Sequence, residues 1–217
     1  MNREELKEKY GKKRVPHEWR KTDKLTALIV TFFGSGMSPK APGTMGSLAA
    51  AIVAYPMAIW AQNSPLKSYD FNMRGFFGDS FLSINLFFIF AALIVFFAAI
   101  PFVNKAMKDT GTEDPGWIVI DEVCGIFMSL AFISNEAIIS YPAILAIPFG
   151  LFRFFDILKP LGIHSMEEFS GAWGVMADDL LGGIYAACSF LLGVLIIFAA
   201  TFGGLALIAF SMGGYHG

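Results

Sequence analysis

Two long stretches without a charged side chain constrain what this chain can fold into. Residues 80–103 and 180–212 contain no Lys, Arg, Asp or Glu. A helix needs about 20 apolar residues to cross the hydrocarbon core of a membrane, and both stretches reach that length. Soluble domains are about 25% charged, whereas this chain is 55% hydrophobic and 16% charged. These features predict an all-α integral membrane protein.

Shorter apolar stretches extend this prediction to a helical bundle with about five membrane segments. The predicted segments cover residues 45–61, 81–103, 117–134, 141–158 and 180–201. Residues 25–33 are too short to span, so we expect them to lie at the membrane interface or to re-enter the membrane. We divide the chain into a charged N-terminal leader, residues 1–24, and a membrane-embedded helical domain, residues 25–217.

The basic residues orient the predicted bundle. With the N-terminus in the cytoplasm, 14 of the 16 Lys and Arg residues lie on the cytoplasmic side, and Lys67 and Arg74 lie outside. This asymmetry agrees with the positive-inside rule. Four polar clusters fall on the same side, at residues 35–47, 114–122, 153–159 and 178–179. Four clusters on one side predict a single site that faces the cytoplasm.

The first cluster is a Gly/Pro-rich loop that leads into a helix. Thr44 is predicted to cap a helix that begins at Met45. Backbone N–H groups at a helix start attract phosphate, and Lys40 and Ser47 would add hydrogen-bond donors. The alternative is a plain turn and cap. The residue order of a nucleotide-binding P-loop is absent.

The second cluster carries the acids that are hardest to explain as structural. An Asp-Pro pair at Asp114 predicts a helix start, which places Asp121 and Glu122 about two turns inside an apolar helix. Carboxylates cost roughly 2.5 kcal/mol or more near a bilayer centre, so they are usually functional or paired there. Oxygen ligands of this kind suit Mg²⁺. The alternatives are that Asp114 only caps the helix and that the other acids pair with basic residues of the third cluster.

The last two clusters add cations and further acids. Arg153, Asp156 and Lys159 are three residues apart and share a helix face, so the two cations can hold a phosphate. The alternative is that they reach toward the headgroups with Asp156 as counter-ion. Asp178 and Asp179 precede the longest apolar run, where one would cap the helix and either could join a metal site.

With these clusters in place, the chain resembles the phosphatidylglycerophosphatase A family of bacterial membrane lipid phosphatases. The matching stretches follow the family's order: FGSGMSPKAPGTMGSLAA from residue 33, DPGWIVIDEVCG from 114, FRFFDILKPLGI from 152 and GVMADDLLGG from 174. The resemblance implies an all-helical, Mg²⁺-dependent enzyme that removes the terminal phosphate of phosphatidylglycerol phosphate. It carries the family's site residues over to Asp121, Glu122, Asp156, Lys159, Asp178 and Asp179.

Together these observations give one site hypothesis. One or two Mg²⁺ ions are held by Asp121, Glu122, Asp178 and Asp179, with Asp114 as a further candidate. The substrate phosphate is bound by Lys159, Arg153, Thr44, Ser47 and Lys40. Asp156 protonates the leaving oxygen. The expected partner is the phospholipid substrate in the bacterial inner membrane.

Other chemistries are tested by the absence of their motifs. Neither Cys124 nor Cys188 begins a Cys-x5-Arg motif, and no Asp-x-Asp pair occurs. The main alternative function is an ion- or proton-coupled transporter, in which acids inside membrane helices line the pathway. Such a transporter places its site between repeated halves, and the sequence has no visible repeat. A structural membrane subunit is a third reading, and no nucleic-acid partner is expected.

Overall fold

A computed structural model shows a mostly helical bundle. It describes residues 18–64, 70–72, 83–160 and 171–213, with the backbone alone for 70–72 and 202–213. The α-helices are α1 Lys24–Val30, α2 Pro42–Gln62, α3 Leu86–Thr110, α4 Ile120–Ser129, α5 Asn135–Ser140, α6 Ala146–Leu158 and α7 Ala172–Gly213. Short 3-10 turns cover Glu18–Lys21, Ser35–Met37 and Pro142–Leu145. Most of the predicted leader, together with Lys67 and Arg74, lies outside the described residues.

Two short strands interrupt the otherwise helical chain between α2 and α3. Strand β1, Asp70–Asn72, pairs antiparallel with β2, Ser83–Asn85. The predicted second membrane segment began at residue 81, whereas α3 begins only after β2. The all-α prediction therefore holds for the bundle, with this small hairpin as an addition.

Three helices have the length and composition to cross a membrane among the described residues: Pro42–Gln62, Leu86–Thr110 and Ala172–Thr201. They contain the first, second and fifth predicted segments. The third and fourth segments contain α4 and α6, which have 10 and 13 residues. At 1.5 Å per residue these helices are about 15 and 20 Å long, against a hydrocarbon core of roughly 30 Å. The described structure has three helices of spanning length where about five segments were predicted.

Helix α2 begins earlier than the sequence predicts. Its first residue is Pro42, and Ala41 occupies the N-cap position without a side-chain hydrogen bond. Proline suits the first helical position because its fixed backbone angle and missing N–H cost nothing there. The predicted cap at Thr44 is therefore wrong, since Thr44 already lies inside the first turn.

Helix α7 also begins before its predicted start. The N–H of Ala172 donates to Asn104 Oδ1 at 3.1 Å, which ties the start of α7 to α3. Asp178 and Asp179 therefore lie about two turns inside the helix. The predicted capping role for one of them is wrong, because the first turn is elsewhere.

Helix α4, by contrast, begins later than predicted. The N–H of Val119 donates to the carbonyl of the last residue of α1 at 2.8 Å. Because this bond holds the preceding chain outside a helix, α4 begins at Ile120. The expectations that Asp114 caps α4 and shares its face are wrong. Asp121 and Glu122 consequently lie in the first turn of α4 and not two turns inside it.

Helix α4 is the centre of the bundle. Every residue of α4 except Glu122 is buried, and the helix packs against α2, α3, α6 and α7. The largest buried side chains around it include Phe88 and Phe152. Burial on all sides places whatever α4 carries at its first turn inside the protein.

Candidate active site

The first turn of α4 brings two carboxylates into the interior. Asp121 is 8% exposed, and the Glu122 side chain is 12% exposed. The N–H of Glu122 donates to Asp121 Oδ1 at 3.0 Å. This bond is available because the first N–H groups of a helix lack partners within the helix. It uses one Asp121 oxygen and holds the two acids beside each other.

Helix α7 contributes the third carboxylate. Asp179 is 5% exposed, and one oxygen from each of Asp121, Glu122 and Asp179 lies within 4.8 Å of the other two. The structure therefore brings together three of the four residues predicted as metal ligands. Their spacing suits a shared cation, because carboxylate oxygens bind hard divalent cations such as Mg²⁺ at about 2.0–2.1 Å.

Two glycines allow α4 and α7 to approach closely enough for this meeting. A Cβ atom on Gly125 would lie 2.2 Å from the Phe152 ring and 2.8 Å from the Asp179 carbonyl oxygen. A Cβ atom on Gly183 would lie 2.4 Å from the Gly125 carbonyl oxygen. Each glycine is four residues after an acid of the cluster, so the contact lies one helical turn from Asp121 and Asp179.

Glycines of α2 form the opposite wall of the site. A Cβ atom on Gly43 would lie 2.1 Å from Glu122 Oε1, and one on Gly46 would lie 2.5 Å from Val119 Cβ. The sequence prediction treated this motif as a phosphate loop or a plain turn and missed its packing role. The signal was present, because small residues spaced along an apolar helix indicate close helix packing.

Helix α6 places Arg153 between the acids and α2. Its Nη1 lies 2.5 Å from Asp156 Oδ2, 3.8 Å from Glu122 Oε1 and 3.5 Å from Ser47 Oγ. Ser47 Oγ in turn donates to the Gly43 carbonyl oxygen at 2.8 Å. The guanidinium thus links the acid cluster to the start of α2. Its five donors exceed the contacts of this single nitrogen, so it can also bind a phosphate.

Lys159 ends α6 and pairs with the remaining predicted ligand. Its Nζ lies 2.6 Å from Asp178 Oδ2, and the N–H of Asp179 donates to Asp178 Oδ1 at 2.9 Å. Both Asp178 oxygens therefore have protein partners. The metal-ligand role of Asp178 stays a prediction, and the geometry gives it a second role in positioning Lys159.

The other predicted phosphate-binding residues lie at the edge of the site. Thr44 is exposed on the first turn of α2, next to Gly43, and Lys40 is exposed in the loop before α2. Asp114 lies in the loop before α4 and not on the helix. These three roles stay predictions.

The acid cluster lacks the compensation that buried charges normally have. Burial raises the pKa of Asp121 well above its ordinary value, and the neighbouring Glu122 raises it further. Burial also raises the pKa of Glu122, to about 8. Glu122 Oε2 is buried and finds no hydrogen-bond partner among the described residues. An oxygen-only donor set with an unpartnered buried oxygen fits a divalent cation such as Mg²⁺.

Comparison with known proteins agrees with the resemblance. The family model for phosphatidylglycerophosphatase A matches residues 28–194, which include the acid cluster and both cations. No solved structure matches the chain.

Three curated relatives are similar over most of their length. A Bacteroides thetaiotaomicron protein, provisionally named phosphatidylinositol-3-phosphatase, is 40% identical over 75% of this chain and 89% of its own. Phosphatidylglycerophosphatase A of Haemophilus influenzae is 36% identical over 81% of this chain and 88% of its own. Phosphatidylglycerophosphatase A of Escherichia coli is 31% identical over 74% of this chain and 78% of its own. The chain therefore belongs to the phosphatidylglycerophosphatase A family, a family of phosphatase enzymes.

Proposed function

We propose that this chain hydrolyses the terminal phosphomonoester of phosphatidylglycerol phosphate, giving phosphatidylglycerol and phosphate in phospholipid biosynthesis. The observation that carries the proposal is the meeting of Asp121, Glu122 and Asp179 beside Arg153 in a chain of this family. The transporter alternative is not favoured, because the family and its named relatives are phosphatases.

The cations of α6 are assigned to the substrate phosphate. Arg153 offers a planar guanidinium that can bind two phosphate oxygens at once. Lys159 offers a point charge held by Asp178 at 2.6 Å. The start of α2 adds N–H groups and its helix dipole, which favour an anion. Thr44, Ser47 and Lys40 remain candidate donors around the same phosphate.

The acids are assigned to the hydrolysis. Attack by a water oxygen on phosphorus breaks the bond to the glycerol oxygen, which then takes up a proton. We assign that proton to Asp156, which lies 2.5 Å from Arg153 and therefore beside the bound phosphate. Mg²⁺ held by Asp121, Glu122 and Asp179 would activate the water and offset the negative charge that develops. Asp178 and Asp114 remain candidate ligands.

The proposed setting is the bacterial inner membrane, with the site facing the cytoplasm. The start of α2, the start of α4, the end of α6 and the start of α7 meet at the site. Single cysteines at Asn63 and Gly111 in a Cys-less background should label from opposite sides of the membrane, because α3 separates them. Labelling of both from one side would overturn this orientation. The C-terminal residues 214–217 lie outside the described residues.

Phosphate release by the purified protein in detergent micelles tests the activity. We expect release from phosphatidylglycerol phosphate to need Mg²⁺, to stop in EDTA and to return when Mg²⁺ is added in excess. Full activity in EDTA would remove the metal from the proposal. Absence of release under all metal conditions, from protein that remains folded, would remove the proposed substrate.

Phosphatidylinositol 3-phosphate is a second candidate substrate. The observation in its favour is the name of the Bacteroides relative, which is 40% identical over 164 residues. Both lipids carry a phosphomonoester on a diacylglycerol-based lipid, so the same acids and cations would serve either. Comparing kcat/KM for the two lipids in matched micelles decides between them.

A further inference from the structure

An apolar groove runs along the protein between α2 and α6, starting at the proposed phosphate site. Its walls are Leu48, Ile52 and Tyr55 of α2 and Leu145 and Phe149 of the α6 side. Its volume is about 430 Å³, within the roughly 300–1,000 Å³ typical of ligand pockets. The α2 residues are three or four positions apart, so they form one continuous helix face.

The groove begins where the cations end. Leu48 directly follows Ser47, and Phe149 is one turn before Arg153. Arg153 Nη1 and Ser47 Oγ are 3.5 Å apart and bridge the two helices at this end. A molecule lying in the groove would therefore present its polar end to Arg153 and its apolar part to α2 and α6.

The length and openness of the groove match a chain that enters from the bilayer. Ser47 to Tyr55 is eight residues, or about 12 Å along a helix, which is less than half of a roughly 30 Å hydrocarbon core. Ile52 is 63% exposed, and Ala143 and Ala146 leave room on the opposite wall. The groove thus stays within one leaflet and is open along its side.

We propose that this α2–α6 groove holds one acyl chain of the lipid whose phosphate is bound by Arg153 and Lys159. The inference rests on the proposed lipid phosphatase function and adds the binding site for the apolar part of the substrate. The acyl chain would fix the height of the lipid in the bundle and so set the position of its phosphomonoester beside the acids.

A second groove provides a contrast within the same molecule. It has a volume of about 570 Å³ and lies between the end of α2 and the start of α3. Its lining, which includes Trp60, Phe90 and Ala91, is entirely hydrophobic. Since no cation borders its lining, this larger groove cannot position a phosphate, and it serves as the control surface.

Filling each groove with a larger side chain tests the proposal. Ala146→Trp narrows the α2–α6 groove at an exposed position, and Ala91→Trp makes the same change in the second groove. We measure kcat/KM for long-chain and dihexanoyl phosphatidylglycerol phosphate with each variant. We expect Ala146→Trp to lower the long-chain to short-chain ratio about tenfold, in the range seen for altered apolar pockets. Ala91→Trp should leave the ratio at the wild-type value.

An opposite change guards against misfolding of the tryptophan variant. Ile52→Ser removes apolar surface at a position that is 63% exposed, so its fold should be retained. It should lower the same ratio. An unchanged ratio in both folded groove variants, or an equal change in Ala91→Trp, would overturn the proposal.

A photo-crosslink reads the occupant directly and does not depend on turnover. The probe is phosphatidylglycerol phosphate with a diazirine near the middle of one acyl chain. We expect crosslinked peptides to cover residues 48–55 or 142–149. Labelling at Trp60 and Phe90, or evenly around the bundle, would overturn the groove assignment. Crosslinking in the groove without hydrolysis of the lipid would instead count against the proposed function and leave the groove assignment in place.

Discussion

The two ends of α4 bury polar groups in opposite ways. After its far end, the Asn85 side chain donates to the Ile133 carbonyl oxygen and to Asn135 Oδ1, both at 2.9 Å. At its first turn, three carboxylates meet, and Glu122 Oε2 finds no hydrogen-bond partner among the described residues. A buried polar group that is paired is nearly neutral for stability, whereas an unpaired one costs about 1–3 kcal/mol or more. The missing compensation, and not burial itself, therefore marks the functional end of α4.

The largest expected effect is loss of activity when a carboxylate of the cluster becomes an amide. Asp179→Asn keeps the volume of the side chain and removes its charge. We expect phosphate release to fall by about 10²-fold or more, the size typical of losing a preorganised electrostatic group. Asp121→Asn and Glu122→Gln should lose activity in the same range.

The same change should stabilise the protein when no metal is bound. Removing one of several neighbouring buried negative charges relieves their repulsion, so Tm in EDTA should rise by about 2–4 °C for each kcal/mol gained. Asp109→Asn, at an exposed position on α3, should change neither activity nor Tm. Full activity of folded Asp179→Asn would remove the site assignment.

The second effect concerns Lys159, where phosphate binding must be separated from neutralisation of Asp178. Lys159→Ala should lose most activity, and Lys159→Arg should recover only part, because a planar fork replaces a point charge. The double variant Lys159→Ala/Asp178→Asn removes the buried pair together. If Lys159 binds the phosphate, the double variant stays inactive.

Recovery of activity in that double variant would contradict the prediction and give Lys159 a structural role. Lys105→Ala is the matched control, because Lys105 pairs with an exposed Asp23 outside the site. It should retain wild-type turnover and wild-type KM.

The third effect tests the far end of α4, where stability and not activity should change. Asn85→Ala removes the two side-chain hydrogen bonds and leaves the Ile133 carbonyl and Asn135 short of a donor. We expect a loss of about 1–3 kcal/mol in stability, measured as a lower Tm in detergent. Turnover per folded molecule should stay at the wild-type level, and a selective loss of kcat would break the contrast between the two ends.

The sequence predicted which residues would meet better than it predicted how they meet. The charge-free stretches and the four polar clusters were enough to expect one site at one end of the bundle. The late start of α4 was not predictable, because it depends on a hydrogen bond from Val119 to α1, far away in the sequence. Local propensity cannot register such a tertiary contact.

Close helix approach was the other feature that the sequence reading missed. Gly43 and Gly125 have no polar group, so they carry no chemical signal of a site. Their role follows only from what a Cβ would meet, which is Glu122 for one and Phe152 for the other. The pairing of Asp178 with Lys159 likewise depends on how α6 lies against α7. Motif spacing therefore indicates membership of a site, while the division of roles depends on packing.

The smallest expected effect is at Asp114, whose charge influences the acid cluster from outside α4. It is one of the charges that raise the pKa of Asp121, yet it does not belong to the three acids whose oxygens meet. Asp114→Asn should therefore leave kcat close to wild type. It should raise the Mg²⁺ concentration for half-maximal activity by about fivefold or less, as expected for a remote interaction of about 1 kcal/mol. Asp114→Ala should give the same shift if only charge matters. A loss of kcat as large as that of Asp179→Asn would show that Asp114 is a direct ligand, and the site would then have a fourth carboxylate that reaches it from the loop before α4.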